Sequence, residues 1–346
     1  MEMKDKNNLL TIAIPTYKRP KYLRQAIDSA VNQIASGVDY NIIVVNNDPE
    51  TDMTEVQKAY EDAPVDIRFY TNERNLGMLG NVNRCVELAE GKWIAFLHDD
   101  DLLLPSYLYQ IKRYLNEENT ACLIPRRYLL FEGKDGRFLE KKRKVKYAML
   151  NLFPGRHMKK AEVYPIHVED NVYAWQNCYG APSCGTAYNI EKIKTCGLFF
   201  PEGTYSWDYL SHLKLNQQYE VKILGQVLSV YRMSVGASNR PEVQLDFFKV
   251  FENLKHTLAQ TSSDCEAFIK KYGAEIAYLD FNIMNSEAKV LAKRSGMPLI
   301  PKRPSSIKYI RFMYKRIRYF SIHHLDVEVP LNQVGRKKLF QMDCLE

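Results

Sequence analysis

A chain of 346 residues, 46% hydrophobic and 26% charged, has ordinary globular composition and enough length for one large core or two modest ones. Its net charge of +7 points to anionic partners such as a nucleotide, a lipid phosphate or a membrane surface. No secretory signal or bilayer-spanning run is visible, and the scattered cysteines include no Cys-x-x-Cys pair, which argues against zinc and a disulfide scaffold and for a cytoplasmic setting.

In chain order, residues 9–14 read as a buried strand that stops at Pro15-Thr16-Tyr17-Lys18-Arg19-Pro20. Pro20 suits the first position of a helix, and Leu23, Ala26, Ile27, Ala30, Val31 and Ile34 follow at helical spacing. A second strand over 40–45 ends in Asn46-Asn47-Asp48-Pro49. A short helix is expected over 53–60 and a third strand over 66–70. The polar loop 72–77 leads to a helix through Leu79, Val82, Val86 and Ala89. Trp93-Ile94-Ala95-Phe96-Leu97 is then a fourth buried strand, which runs straight into His98-Asp99-Asp100-Asp101. This alternation predicts a parallel sheet with crossover helices.

Farther on, the pattern predicts a helix over 105–116, a strand over 121–124 and a hairpin over 128–146 turning at Lys134-Asp135-Gly136. The second arm of that hairpin is strongly basic, either as a solvated strand or as a grip on an anionic acceptor. Residues 147–183 show no regular pattern. A strand over 185–188, a helix over 190–195, a helix over 206–217 and strands over 221–224 and 227–231 complete this half. Beyond Arg240-Pro241 only helices are expected. One carries Leu245, Phe248, Phe251, Leu254 and Leu258, and another covers 265–293. Residues 302–318 combine Lys302, Arg303, Lys308, Arg311 and Lys315 with interleaved aromatics and no acid. Such a segment either lies in a membrane interface or packs on the domain with its cations in water. No nucleic-acid-binding motif accompanies it.

In an open α/β sheet, ligands sit past the carboxyl ends of the parallel strands. Those ends gather Thr16 and Tyr17, Asn46 to Asp48, and Asp99 to Asp101. Three adjacent aspartates repel one another unless a cation or a partner offsets the charge. One reading is a divalent metal holding a phosphorylated ligand; the other is an acidic turn capping the helix that begins near Pro105. No Gly-x-Gly-x-x-Gly follows the first strand and no Walker loop is present, which disfavours dinucleotide and P-loop chemistry.

The landmarks Ile14-Pro15-Thr16-Tyr17-Lys18-Arg19, Ile43-Val44-Val45-Asn46-Asn47-Asp48, Asn75-Leu76-Gly77, Ala89-Glu90-Gly91-Lys92-Trp93, Phe96 to Asp101 and Trp207-Asp208 stand in family-like order. Over roughly residues 9–235 the chain resembles the inverting family-2 glycosyltransferases. The resemblance implies the α/β GT-A fold, with a mixed, mainly parallel central sheet and here a helical C-terminal extension. It divides the chain into a glycosyltransferase domain over 1–239, with a nucleotide-binding half 9–124 and an acceptor-binding half 125–239, and a C-terminal region over 240–346. It also implies a nucleoside-diphosphate sugar donor, a UDP-sugar first among them, and Mn²⁺ or Mg²⁺ as cofactor.

Residue by residue, the resemblance places Pro15, Thr16, Tyr17 and Arg19 at the nucleotide, with Thr16 and Tyr17 flanking its base. Asn46 stands where the family often has an Asp that accepts from the pyrimidine N3–H; its amide oxygen accepts the same bond without charge. Asn47, Asp48, Asn75, Gly77 and Asn81 complete the expected nucleotide-sugar set. Asp99 is expected near the ribose, Asp100 on the metal, and Asp101 on either. His98 replaces a frequent Asp and is expected as a hydrogen-bonded neighbour. Asp208 is the expected catalytic base, although Trp207 replaces the usual Glu before it, and His212 is expected to be structural. The processive Gln-x-x-Arg-Trp signature is absent, so the resemblance implies a non-processive, hexosyltransferase-type enzyme adding one sugar. The basic stretches are consistent with a saccharide or lipid-diphosphate-linked acceptor in surface polysaccharide synthesis at the inner face of the cell membrane, and the composition of 302–319 with contact to a membrane surface; self-association into a homo-oligomer is left open. Two competing readings remain: a sugar-nucleotide pyrophosphorylase, which needs a Gly-rich loop after the first strand, and a non-catalytic nucleotide-sugar or glycan-binding module.

Overall fold

The structure, a computed structural model, describes residues 10–131, 163–165, 183–197, 204–233, 240–260, 263–295, 301–323 and 328–330. Its first half is a parallel sheet. Strands β1 (Leu10–Thr16), β2 (Tyr40–Asn46), β3 (Ile67–Thr71) and β4 (Trp93–Phe96) lie in the order β3-β2-β1-β4, joined through helices α1 (Pro20–Val31), α2 (Thr54–Lys58) and α3 (Gly77–Leu88). Their apolar runs are unbroken because both faces are covered. Ile12 and Ile14 join Leu23, Ala26 and Ile27 of α1 on one face. Ala13 and Ile43 join Val82, Cys85 and Val86 of α3 on the other.

The second half extends the sheet with mixed direction. It contains β5 (Leu102–Leu103), α4 (Tyr107–Ile111), β6 (Thr120–Phe131), β7 (Val163–Pro165), β8 (Thr186–Asn189), α5 (Ile190–Thr195), α6 (Trp207–Leu215) and β9 (Glu220–Met233). The order continues β4-β8-β6-β9-β5, with β8 antiparallel to both neighbours and β6 parallel to β9. Two expectations change here. β6 runs well past residue 124, and the two strands expected over 221–231 are one, because Leu224 faces Pro125 and Val227 faces Arg126 across a bulge. Such bulges bend the pair without ending it. Consequently β9 pairs with β7 at one end and with β5 at the other. Past Phe131 the expected hairpin lies outside the described residues.

After residue 240 come α7 (Pro241–Ala259), α8 (Ser263–Ile283), α9 (Ser286–Arg294), α10 (Ser306–His323) and β10 (Glu328–Pro330). The helix expected over 265–293 is two helices. Asn285 starts the second, its side-chain oxygen accepting from the Ala288 N–H at 2.8 Å. The expectation of helices only is corrected by β10, which returns to the sheet and lies parallel to β6 with Glu328 opposite Arg127. These C-terminal helices also share a core with α6, since Tyr209 and Leu213 are buried with Phe251, Leu258, Phe268 and Phe312.

Candidate active site

The carboxyl end of β1 and the turn after β4 meet at the acidic cluster. The Asp101 N–H donates to the His98 carbonyl at 3.0 Å and closes that turn. The Thr16 hydroxyl donates to Asp99 Oδ2 at 2.9 Å and the Tyr17 N–H to the same oxygen at 3.3 Å. Lys18 adopts φ 58°, a left-handed conformation uncommon outside glycine, in the sharp turn that brings Arg19 back to the cluster. Arg19 Nη1 then bridges two carboxylates, at 3.4 Å from Asp99 Oδ1 and 2.5 Å from Asp100 Oδ2. The offsetting charge that the sequence demands is thus a guanidinium of this chain. Burial, reinforced by the Asp100 charge, pushes the Asp99 carboxyl up to about 6 against the opposing pull of Arg19 and Thr16.

Asp101 turns the other way. It is 1% exposed, and its Oδ1 accepts from the Arg232 N–H at 2.8 Å. Burial, then the Asp100 charge, raises its pKa. Arg232 of β9 is missed by sequence reasoning, yet it is the clamp of the turn. Its Nε donates to the Asp100 carbonyl at 2.8 Å, its Nη2 to Gln25 Oε1 at 2.8 Å, and its guanidinium lies 4.7 Å from the Tyr22 ring centroid.

The asparagines after β2 and β3 form a relay. Asn47 Nδ2 donates to Asn75 Oδ1 at 2.8 Å and to the Gly77 carbonyl at 3.0 Å. Its Oδ1 accepts from Asn72 Nδ2 at 3.0 Å and from the Leu76 N–H at 2.9 Å. Asn72 also donates to Asn81 Oδ1 at 2.8 Å, and Asn81 Nδ2 donates to the Val45 carbonyl at 3.0 Å. All four hydrogen-bonding positions of the Asn47 amide are therefore used inside the protein. Asn46 behaves similarly, its Nδ2 donating to the Asp48 carbonyl at 2.8 Å and its Oδ1 accepting from the Asp48 N–H at 3.0 Å. Asp48 accepts from the Thr51 hydroxyl and lies 3.9 Å from Lys18 Nζ. The relay fixes the shape of the loops at this edge of the sheet.

Asp208 sits in the first turn of α6, 8% exposed, with Oδ1 accepting from the Tyr209 N–H at 2.8 Å. Burial pushes its carboxyl up to about 6, and the opposing influences are backbone N–H groups and the charge of Arg127. Arg127, on β6 and 1% exposed, acts on Asp101 as well; nothing in the sequence distinguishes it from the other cations of its strand. The turn 183–185 joins the two carboxylate regions. The Ser183 backbone N–H helps to lower the Asp208 carboxyl against its burial, while the Ser183 hydroxyl pairs with His98 Nε2 at 3.0 Å. Below this turn, Trp207 packs edge-on against Phe96 at 5.6 Å, tying α6 to the strand that carries the aspartates. His212 Nε2 pairs with the Tyr188 hydroxyl at 2.7 Å and the two rings stack. The C-terminal region reaches this place through Asp246 of α7, whose Oδ2 accepts from the Thr204 hydroxyl at 2.9 Å and the Tyr205 N–H at 2.7 Å.

Among the described residues no group of three or more His, Cys, Asp or Glu side chains is arranged as a metal cage. The donor set still suits a hard divalent cation, which needs only one or two carboxylates beside phosphate and water oxygens. Asp100 faces a guanidinium whose side chain is 25% exposed, whereas Asp101 accepts from the Arg232 backbone.

A mainly parallel sheet carrying an acidic turn at its carboxyl edge, extended by mixed strands that bring up a second buried carboxylate, is the arrangement of the GT-A fold. Residues 11–180, just under half of the chain, match the model of the family described as Glycosyl transferase family 2. An uncharacterized glycosyltransferase of Methanocaldococcus jannaschii is 34% identical over 140 residues, which are 40% of this chain and 48% of that protein. The GalNAc(5)-diNAcBac-PP-undecaprenol beta-1,3-glucosyltransferase of Campylobacter jejuni is 31% identical over 137 residues, 38% of this chain and 44% of that protein. The matches to these relatives thus span less than half of their length. Among solved structures, S. aureus TarS 1–349 in complex with UDP-GlcNAc superposes with a TM-score of 0.55 at 16% identity, covering 92% of this chain and 88% of that one. The mannosyltransferase PcManGT of Pyrobaculum calidifontis, in complex with GDP-Man and Mn²⁺, gives 0.51 at 15% identity, covering 90% and 86%. At these identities the structural likeness shows the shared fold.

Proposed function

We propose that this protein transfers one hexose, with inversion, from a nucleoside-diphosphate sugar to a saccharide or lipid-diphosphate-linked acceptor in surface polysaccharide synthesis. The observation that carries the reading is the pairing of two regions across the 183–185 turn: Asp99 and Asp100 held by Arg19 on one side, and the buried Asp208 on the other. The undecaprenol-linked substrate named for the Campylobacter relative and the minor teichoic acid role named for GgaB of Bacillus subtilis, 24% identical over 169 residues, support the acceptor class. UDP-GlcNAc in TarS supports a UDP-sugar as donor.

In this mechanism Tyr17 and Thr16 border the base and Asp99 lies towards the ribose. Asp100, released from Arg19, would hold Mn²⁺ or Mg²⁺. When bound, the cation offsets the charge that builds on the leaving diphosphate. Arg19, freed from the carboxylates, would be available to pair with a phosphate oxygen. Asp208 accepts the proton of the attacking acceptor hydroxyl, a role worth about 10²–10⁴-fold, and its pKa of about 6 leaves it ionised at neutral pH and more basic than an exposed carboxylate. The asparagine relay, Arg232 and His98 position these groups. The region over 240–346 belongs with the acceptor half, since it supports α6. Calorimetry with a panel of UDP-, GDP- and dTDP-sugars, with and without Mn²⁺, tests the reading. Metal-dependent binding of one donor is expected, and loss of it in Asp100→Ala. Metal-independent binding, or binding unchanged in that variant, contradicts it.

A further inference from the structure

Helix α10 divides lengthwise into three stripes. Tyr309, Phe312 and Met313 face the C-terminal core, where Phe312 is fully buried with its ring 5.7 Å from that of Tyr272. Lys308, Arg311 and Lys315, at i, i+3 and i+7, are exposed. So are Ile307, Ile310 and Tyr314, at the same spacing on the remaining side, 66%, 65% and 52% exposed. Ile307 and Ile310 are the most exposed large apolar side chains among the described residues. Lys302 and Arg303 precede the helix, also exposed, and no Asp or Glu occurs between 302 and 323.

An amphipathic helix buries one face and gives the rest to water. Here the rest is itself divided into an apolar and a cationic strip, so the helix is already docked and still presents a second amphipathic surface. We propose that this surface seats on an anionic lipid bilayer, with Ile307, Ile310 and Tyr314 at the acyl boundary and Lys308, Arg311 and Lys315 among the headgroup phosphates. A bilayer interface accepts apolar and cationic strips side by side and at once. A second copy of this chain does so poorly, because a twofold contact through the stripe brings like charges together. Single-stranded nucleic acid satisfies the cations but leaves two isoleucines without a stacking partner.

The inference goes beyond the sugar-transfer reading and does not depend on it. Its test contains neither nucleotide sugar nor metal, so the two fail separately. The full chain is sedimented with vesicles of phosphatidylglycerol and phosphatidylcholine, and with vesicles of phosphatidylcholine alone. Binding to the first and not to the second is expected. Ile307→Ser/Ile310→Ser/Tyr314→Ser, and separately Lys308→Gln/Arg311→Gln/Lys315→Gln, are expected to lower partitioning about tenfold or more, since burial of a single large aliphatic side chain, or two to three cations at an anionic surface, is worth about that factor. All substituted side chains are exposed, so an unchanged melting temperature checks that folding survives. Vesicle binding equal to the parent protein in the apolar variant overturns the proposal. So does a lipid-free dimer, seen by sedimentation velocity, that the apolar variant dissociates.

Discussion

Arg19 stands where a cation is required. Asp99 and Asp100 are each only 6% exposed, and their mutual repulsion is offset in this structure by one guanidinium. Arg19→Ala removes that offset. Without nucleotide, the variant is expected to bind Mn²⁺ more tightly than the parent, because the competing internal cation is gone, while its metal-free melting temperature falls. Titration of Mn²⁺ followed by differential scanning fluorimetry reads both; weaker Mn²⁺ binding would contradict the competition. Asp208 gives the second residue-level prediction. Asp208→Asn is expected to abolish transfer and leave donor binding intact, and full activity would remove Asp208 from the mechanism. A buried carboxyl raised to about 6 binds its proton more tightly folded than unfolded, so its contribution to stability falls as pH rises from about 4 to about 6. The Asn variant should therefore be more stable than the parent above pH 6, by up to about 3 kcal/mol in urea denaturation, and lose that advantage towards pH 4. For the parent enzyme, kcat/KM should drop below pH about 6 as Asp208 protonates.

The elements that set the site are short and local. The turn before β8 is one. Gly185 has φ +72°, and a Cβ added there would lie 3.1 Å from Ser229 Cβ and 3.2 Å from Leu103 Cδ2. Its carbonyl also accepts from the Tyr107 hydroxyl at 2.8 Å. Gly185→Ala combines a left-handed backbone with crowding from two strands, and a stability loss of more than about 1 kcal/mol is expected in urea denaturation. The start of α6 is another. Asp246 of α7 holds the residues just before Trp207 and Asp208. Asp246→Ala should lower kcat while leaving the donor KM close to the parent value, because it loosens the helix that carries Asp208 and not the nucleotide edge; an equal rise in donor KM would place Asp246 elsewhere in the mechanism. The strands of the first half were legible in sequence because buried parallel strands are unbroken apolar runs with polar ends. β5 was not, because two leucines following an acidic turn carry no periodicity, and only pairing with Val230 and Ser229 of β9 makes them a strand.

At the scale of the whole molecule, the C-terminal helices are part of the support of the site. Tyr209 and Leu213 of α6 lie in one cluster with Phe251, Leu258, Phe268 and Phe312. Truncation after residue 239 exposes that cluster, and the shortened chain is expected to aggregate or lose α6 order, visible as lost cooperative melting. No helix among the described residues is long and apolar enough to cross a membrane. The sequence by itself determined the first four strands, their parallel pairing through crossover helices, and the acidic edge where they end, while their order in the sheet came from the structure. Those features follow from local hydrophobic runs and from the rule that ligands gather at carboxyl strand ends. It also singled out Asp208, through a resemblance to a family. Only the tertiary structure decided how the aspartates divide, with Asp99 and Asp100 on Arg19 and Asp101 on the Arg232 backbone. It alone assigned the Asn47 amide to the loop 72–77 and the Asn81 amide to Asn72 and the Val45 carbonyl, and brought Arg127, Ser183 and Asp246 to the same place. The reason is that a side chain's charge and hydrogen-bonding capacity are read from its sequence position, whereas its partners come from segments far along the chain, and closure of the fold selects them.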